Sequence, residues 1–309
     1  MNILILFTLG LSLTATLSSY QRMSDSEIYI QQVTQDETFP YPAIPSVITS
    51  PAERASYLLT HYWEKVDFNR HTLSSQDALL EQGFVDFLSV FPHAENSVLK
   101  EAFRNMLKHA LVDASRAETL IKLVENYLYH PNSPMLNEEY YRLFLEECLQ
   151  VKGLSLADRE KMRFHLSAVN KNRVGTIAAN FAFADMQNQV MQLHEVQAQS
   201  TLLFFYDADC EECKYVLSQM EESAALKKII ESGRVKVVTV CIEGTDQQWK
   251  SITRTFPDSW MKGRIEDTSV LVSQYVLRAM PTIYLLDQHK KVVLKDVLLE
   301  DLLNFWNKP

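Results

Sequence analysis

The hydrophobic periodicity of this chain changes near residue 170, and that change constrains its fold more than any other feature. Before it, apolar side chains recur every three or four residues, which is the period of amphipathic helices. After it, helical stretches alternate with short apolar runs such as Thr201–Tyr206, which are typical of buried strands. We therefore predict an all-α helical N-terminal domain, followed by an α/β C-terminal domain with a mixed sheet and helices on both faces.

Length and composition narrow the classes of function that such a chain can have. Its 309 residues correspond to about two domains. It contains only 7 glycines, which disfavours a glycine-rich phosphate-binding loop and favours long helices. Its formal net charge of -9 disfavours nucleic acid as a partner, because a broadly acidic surface repels phosphate backbones.

The N-terminus begins with an apolar run, Ile3–Leu13, which small and polar residues follow. This order is typical of a secretory signal peptide, so we predict that residues 1–18 are removed by cleavage near Ser18. The alternative is a core strand or helix at the start of a cytosolic domain. The run is too short to span a bilayer, no later stretch reaches that length, and no cysteine follows it for lipid attachment. We expect an exported, periplasmic protein that is neither a lipoprotein nor held by a membrane span.

The segment over residues 19–49 is polar and then interrupted by prolines, which predicts a linker without regular structure. Residues 50–170 are predicted to form the helical domain, because helix starts recur there at the spacing of one helix plus a short loop. Predicted capping boxes at Ser50 and at Ser115 mark two of these starts. The spacing predicts a helical bundle or a short solenoid.

Residues 171–309 are predicted to form the second domain, with the element order β-α-β-α, a hairpin and a last helix. A long helix is expected over Cys210–Ile230, directly after the first buried strand. The predicted strands are Phe181–Ala184, Thr201–Tyr206, Val235–Ile242, Thr282–Leu286 and Lys291–Leu294, and the later helices are Gln247–Thr255, Val270–Tyr275 and Leu299–Trp306.

Cys210 and Cys213 carry the strongest chemical signal in the chain. They follow a buried strand and stand at the predicted start of a helix, with Asp209 as its expected N-cap. There the first thiolate is exposed and stabilised by the positive helix end, while the second thiol lies one turn inward, within reach of a disulfide. We predict that Cys210 attacks a partner disulfide and that Cys213 resolves the mixed disulfide. Such a dithiol carries the electrons itself, so no metal or organic cofactor is expected.

Two other functions of this cysteine pair remain open. A zinc site needs four ligands, and the other cysteines, Cys148 and Cys241, are distant in sequence, with no histidine close to either. A static disulfide is the second alternative, although so short a loop gains little from a cross-link. Cys148 lies on an apolar helical stripe and is predicted to be a core residue. For Cys241, near the end of a strand, a buried inert thiol is favoured over a thiol at the active site.

Three pieces of the C-terminal sequence match one known family: the strand Leu202–Tyr206, the motif Cys210-Glu211-Glu212-Cys213-Lys214, and Met280-Pro281-Thr282 before a later strand. On these pieces, the sequence from about Val174 onward resembles the thioredoxin superfamily, and most closely the TlpA/ResA-like exported thiol–disulfide oxidoreductases. The helical part, over roughly residues 39–170, resembles the N-terminal module of unknown function that accompanies such domains in some exported proteins.

This resemblance implies a thioredoxin-like fold and assigns residues to a site. It implies that Cys210 and Cys213 form a reversible, redox-active disulfide. It also implies that the bond before Pro281 is cis and that Pro281 faces this disulfide. Met280, Pro281 and Thr282 are then expected to line the groove in which a partner's cysteine segment docks.

The sequence departs from the family pattern around the thiols. Phe204 stands where thioredoxins carry a buried acid, which leaves no evident proton acceptor for the second cysteine. Asp209 replaces the usual aromatic residue before the first cysteine. Glu211 and Glu212 oppose a thiolate and Lys214 offsets part of their charge, so these three residues are expected to tune the dithiol and to place it on the reducing side.

The expected function is a thiol–disulfide oxidoreductase of the cell envelope that reduces disulfides in partner proteins. Its expected partners are cysteine-containing envelope proteins or a membrane electron donor. The alternative is an envelope binding protein, or scaffold, whose helical part holds a partner and whose thioredoxin-like domain carries a redox-inert disulfide. Cycling of the Cys210–Cys213 pair against glutathione or dithiothreitol separates these two functions.

Overall fold

The computed structural model describes residues 38–68 and 75–307 of the chain. The predicted signal peptide and the linker up to residue 37 therefore lie outside the described residues, and residues 38–49 contain neither helix nor strand. Among the described helices, none combines the length and the apolar character that a bilayer span requires. From Pro40 onward the chain forms one compact unit, in which helices precede a sheet.

The N-terminal part is helical, as predicted, and its helices pack around a cluster of aromatic rings. Phe87, Phe91 and Phe103 lie in this cluster, with ring centroids 4.9, 5.2 and 6.1 Å apart in edge-to-face arrangements. The helices are α1 (Pro51–His61), α2 (Ser75–Ser89), α3 (Asn96–Ala110), α4 (Ala114–Leu128), α5 (Glu138–Gln150) and α6 (Leu156–Val169), with a short 3-10 helix over Phe91–His93. Helix α3 packs against α1, α4 and α5 and so joins the bundle.

Of the two predicted capping serines, Ser50 is an N-cap and Ser115 is not. Ser50 is the N-cap of α1, but its side chain makes no capping hydrogen bond to the described backbone. The N-cap of α4 is Asp113 rather than Ser115, because the Asp113 carboxylate accepts a hydrogen bond from the Arg116 N–H at 3.0 Å. Aspartate caps a helix as well as serine does, so α4 begins earlier and Ser115 lies within its first turn.

The C-terminal part is a mixed sheet with helices on both faces, which confirms the predicted fold class. In the described part, seven strands lie in the order β2-β1-β5-β4-β3-β6-β7. Strand β3 pairs in parallel with β4, and β4 with β5, whereas the other neighbours are antiparallel. The strands are β1 (Ala182–Ala184), β2 (Val190–Gln192), β3 (Ser200–Asp207), β4 (Val235–Glu243), β5 (Met261–Arg264), β6 (Thr282–Asp287) and β7 (Val292–Lys295), and the helices are α7 (Glu211–Glu222), α8 (Ala224–Glu231), α9 (Asp246–Thr253), α10 (Thr268–Gln274) and α11 (Leu299–Asn307).

Three local features of this part were not predicted. Strands β2 and β5 are only 3 and 4 residues long, which is too short for a clear alternation of apolar residues. The single helix predicted over Cys210–Ile230 is two helices, because Ser223 is the N-cap of α8 and its hydroxyl accepts the Leu226 N–H at 3.2 Å. An N-cap has extended backbone, so Ser223 also ends α7.

Strand β3 lies inside the sheet and is buried on both faces. Leu202 and Phe204 pack with the core on the side of α7, while Leu203 and Phe205 pack with the core on the opposite face. Phe204, at the position where thioredoxins carry an acid, is fully buried among apolar side chains. Because both faces are covered, chemistry collects at the carboxyl end of β3, where the cysteine motif follows.

Candidate active site

Cys210 is the N-cap of helix α7 and the first residue of the site. The chain leaves β3 at Asp207, makes a short turn and enters the helix after Cys210. The Cys210 sulfur accepts a hydrogen bond from the Cys213 N–H at 3.1 Å. The prediction of Asp209 as N-cap is therefore wrong, because the sulfur itself takes the place of the capping oxygen. An N–H donor at the positive end of a helix stabilises a thiolate there.

The two thiols of the motif differ in exposure. Cys213 is fully buried, whereas Cys210 is partly exposed. Burial raises the pKa of the Cys213 thiol, and the hydrogen bond to Cys210 and the nearby Asp207 carboxylate raise it further. Cys213 therefore stays protonated at neutral pH. Both residues are free thiols in this structure, so the disulfide between them stays a prediction.

The cis-proline loop, residues 279–282, lies against the first thiol. The bond between Met280 and Pro281 is cis, and the next residue, Thr282, begins β6 beside the end of β3. The Met280 carbonyl oxygen lies 3.9 Å from the Cys210 sulfur. The Thr282 hydroxyl donates a hydrogen bond to the Ala279 carbonyl at 2.7 Å and so closes the loop. The fold thus brings Met280, Pro281 and Thr282 to the cysteine motif.

The charged residues of the motif are paired unevenly. Lys214 forms an ion pair with Glu211 at 2.5 Å on the exposed side of α7, and this hydrogen bond raises the pKa of Lys214. Glu212 is exposed and forms no ion pair with any described residue. The offset expected from Lys214 therefore falls on Glu211, and Glu212 is the motif glutamate that has no ion pair among the described residues.

Asp207 adds a carboxylate near Cys213. Its Oδ1 atom is buried and has no hydrogen-bond partner among the described residues. Burial raises the pKa of Asp207, and the carboxylates of Glu243 and Asp209 raise it further. The sequence pattern predicts no evident proton acceptor for Cys213, and this stays a prediction, while the Asp207 carboxylate lies near enough to raise the pKa of the Cys213 thiol. The sequence signal for Asp207 is its place as an acidic residue directly after the apolar run Thr201–Tyr206.

Cys241 lies opposite Tyr206 on the neighbouring strand and is fully buried. Its thiol donates a hydrogen bond to the Glu243 carbonyl at 3.1 Å, and burial raises its pKa to about 11. It packs in the same core as Cys213 and remains a protonated thiol, as the favoured interpretation held. Cys148 is buried in the helical core. No group of three or more histidine, cysteine or acidic residues in the described part of the chain could hold a metal ion.

Two family models match this chain. Residues 198–292 match a thioredoxin-like family, in agreement with the geometry of the cysteine motif and the cis-proline loop. Residues 14–172, just over half of the chain, match a domain of unknown function, DUF5106. This chain belongs to the DUF5106 family. Its C-terminal domain is thioredoxin-like, as the motifs predict, and the helical module is its DUF5106 domain.

Solved structures match this DUF5106 protein over most of the chain or over less than half of it. A thioredoxin-like protein from Bacteroides caccae ATCC 43185 is 29% identical, with a TM-score of 0.80, and the match covers 87% of this chain and 98% of that chain. The C-terminal domain of an uncharacterized protein from Bacteroides fragilis NCTC 9343 is 28% identical over 44% of this chain and 99% of its own, with a TM-score of 0.43. The thioredoxin domain of a thiol-disulfide oxidoreductase from Bacteroides vulgatus is 19% identical over 43% of this chain and 94% of its own, with a TM-score of 0.39. Among curated proteins, none matches the sequence.

A largely buried arginine, directly before the cis-proline loop, contacts the DUF5106 domain. The Arg278 guanidinium pairs with Glu138, at the start of α5, at 2.9 Å and with Asp296, after β7, at 2.8 Å. It also donates to the Tyr129 carbonyl oxygen at 2.6 Å and lies 4.2 Å from the centre of the Tyr129 ring. Lys295 pairs with Glu138 at 2.6 Å. We name these five residues the Arg278 cluster, and none of its charged side chains is more than 14% exposed.

A groove opens beside the cis-proline loop, at the junction of the two domains. Its inner part has a volume of about 360 Å³ and is lined by the cis-proline loop, α7 and the loop between α4 and α5. Its outer part, of about 760 Å³, runs between the α4–α5 loop and the segment after β7. Both parts share Pro131, Asn132 and Leu136 of the DUF5106 domain, so we treat them as one junction groove.

Proposed function

We propose that this DUF5106 protein is an exported thiol–disulfide oxidoreductase that reduces disulfides in partner proteins. The observation that supports this most is the position of the Cys210 sulfur, which accepts the Cys213 N–H and faces the Met280 carbonyl. Disulfide exchange requires an accessible thiolate, a resolving thiol behind it and a surface on which the partner docks. In this proposal Cys210 supplies the thiolate, Cys213 is the resolving thiol and the cis-proline loop is the docking surface.

The reaction proceeds in two exchange steps. In the first, the Cys210 thiolate attacks one sulfur of the partner disulfide, that S–S bond breaks, and the other partner sulfur leaves as a thiolate. In the second, Cys213 gives its proton to Asp207 and attacks the Cys210 sulfur, so that the second partner sulfur leaves as a thiolate. The Cys210–Cys213 disulfide remains, and two electrons have passed to the partner. A dithiol electron donor of the membrane then reduces this disulfide for the next cycle.

Export is proposed from the N-terminal sequence. The apolar run Ile3–Leu13 and the small residues up to Ser18 are typical of a signal peptide. An oxidising compartment also supplies partner disulfides as substrates. The proposed partners are therefore cysteine-containing proteins of the cell envelope.

Equilibration of the purified protein with glutathione redox buffers tests the proposal. We expect one two-electron transition, on the reducing side, that is lost in Cys210→Ser. Cys213→Ser should trap covalent partners, because its mixed disulfide cannot be resolved. Cys148→Ser is the matched control, since it removes a buried thiol of the helical core and should trap none. A pair that stays in one redox state over the accessible range would instead support the scaffold function.

A further inference from the structure

We infer that the DUF5106 domain forms part of the substrate site and that the substrate is an extended, cysteine-bearing segment of a partner protein, with an apolar residue next to its cysteine. This inference rests on the proposed function, because it names the substrate class of the same dithiol. It assigns to the α4–α5 loop, residues 129–137, the role of one wall of the junction groove.

The junction groove has an apolar lining that comes from both domains. Pro131 and Leu136 line it from the DUF5106 domain, and Val216 lines it from α7. Leu298, 70% exposed, lines it from the segment after β7. A single exposed leucine is ordinary, but apolar side chains from three separate elements around one groove mark a place for an apolar ligand group. This lining is shared with Pro281, so the apolar group of a ligand lies close to its reacting cysteine.

The α4–α5 loop is fixed by several hydrogen bonds. The Ser133 hydroxyl donates to the Tyr127 carbonyl at 2.6 Å and accepts the Met135 N–H at 3.1 Å. Asn137 caps α5 by accepting the Tyr140 N–H at 3.0 Å. The Arg278 cluster fixes the start of the loop through the Tyr129 carbonyl. A preorganised wall binds a ligand without the entropy cost of ordering it.

The shape of the groove favours an extended ligand. The inner and outer parts together lead from the cis-proline loop along most of the α4–α5 loop, from Pro131 to Asn137. An extended chain rises about 3.3 Å per residue and can follow such a path, with alternate side chains pointing into it. The exposed Glu212 in the inner part favours a basic over an acidic neighbour of the substrate cysteine.

Asn132→Trp tests this inference, because Asn132 is exposed and lines both parts of the groove. The probe is a short linear peptide with the sequence Leu-Cys-Lys at its centre, whose cysteine is disulfide-bonded to a chromophoric aromatic thiol. The reference substrate is the same thiol on glutathione. The measurement is kcat/KM of the reduced protein for each substrate, from the released chromophore. Val112→Trp is the matched control, since Val112 is 64% exposed in the same domain and does not line the groove.

We expect Asn132→Trp to lower the ratio of peptide to glutathione reactivity about tenfold, which is the factor that one apolar group in a pocket supplies. Val112→Trp should leave this ratio unchanged, and a peptide with serine in place of leucine should lower it for the wild-type protein. An unchanged ratio in Asn132→Trp, or no effect of the leucine, would overturn the inference while the glutathione reaction continues to support the proposed function. Failure of the wild-type protein with both substrates would overturn the proposed function itself.

Discussion

Replacing Arg278 by methionine should destabilise the compact unit, and the Arg278 cluster gives the size of the effect. Methionine keeps much of the apolar length of the side chain but removes the guanidinium. The Tyr129 carbonyl then loses a 2.6 Å hydrogen bond, and Glu138 keeps only its pair with Lys295. Asp296 keeps no ion pair among the described residues. The carboxylates of Glu138 and Asp296, each 14% exposed, thus lose the positive charge of the guanidinium while they stay largely desolvated.

Removal of one partner from a buried ion pair costs about 3–5 kcal/mol, because the remaining charge stays desolvated. For a unit of this size, each kcal/mol lowers the unfolding midpoint by about 2–4 °C, so we expect a loss of about 6–20 °C in Arg278→Met. The matched control is Arg163→Met, which breaks an ion pair with Glu160 whose side chains are 56% and 70% exposed. Such an exposed pair contributes about 0–1 kcal/mol.

Thermal melts followed by circular dichroism measure the midpoints of both variants, and urea unfolding under the same conditions measures their free energies of unfolding. A double-mutant cycle with Glu138→Gln then isolates the pair, and the two changes should not be additive, since the residues are in contact. Equal costs for Arg278→Met and Arg163→Met would refute the argument that burial makes this cluster important. Strict additivity in the cycle would refute the assignment of the cost to the Arg278–Glu138 pair.

Three predictions concern the dithiol. Brief iodoacetamide treatment of the reduced protein should label Cys210 before Cys213, which is buried and protonated, and mass mapping that finds Cys213 labelled first would reverse their roles. Asp207→Asn should lengthen the lifetime of the mixed disulfide in stopped-flow measurements. In the wild type that lifetime should lengthen as pH falls through the raised pKa of Asp207, because a protonated carboxyl accepts no proton, and identical pH profiles would contradict this role. Glu212→Gln should make the couple more oxidising, on the order of tens of millivolts, and more so than Glu211→Gln, since a lysine already pairs with Glu211; equal shifts against glutathione would contradict the uneven pairing.

The order of elements in the thioredoxin-like domain could be predicted because each signal is local. The continuous apolar run Thr201–Tyr206 became β3 with one further residue at each end, since a strand covered on both faces has no polar side to interrupt it. Helix boundaries were harder, because several neighbouring residues can cap a helix and tertiary packing selects among them. Ser223 ends one helix and begins another where apolar periodicity alone continues.

The cysteine motif could be predicted from the sequence, because both thiols lie within four consecutive residues. The sequence shows that Asp207 is acidic but not that it is partly buried, since burial of its Oδ1 atom depends on how β3 and β4 pack. The Arg278 cluster could not be predicted at all. Its members come from separate parts of the chain, and an arginine before a strand and a glutamate at a helix start are ordinary surface residues until the fold joins them.

Arg278 directly precedes the cis-proline loop and pairs with Glu138 of the helical domain. Docking of the helices is therefore thermodynamically coupled to the conformation of this loop. Thermodynamic linkage is reciprocal: if docked helices increase the affinity of the groove for a ligand by some factor, the bound ligand strengthens their docking by that same factor. Groove occupancy is then measurable far from the thiols, as protection of the α4 and α5 amides against hydrogen exchange. No relay of intermediate residues is needed, because Arg278 stands two residues before Met280 and holds Glu138 directly.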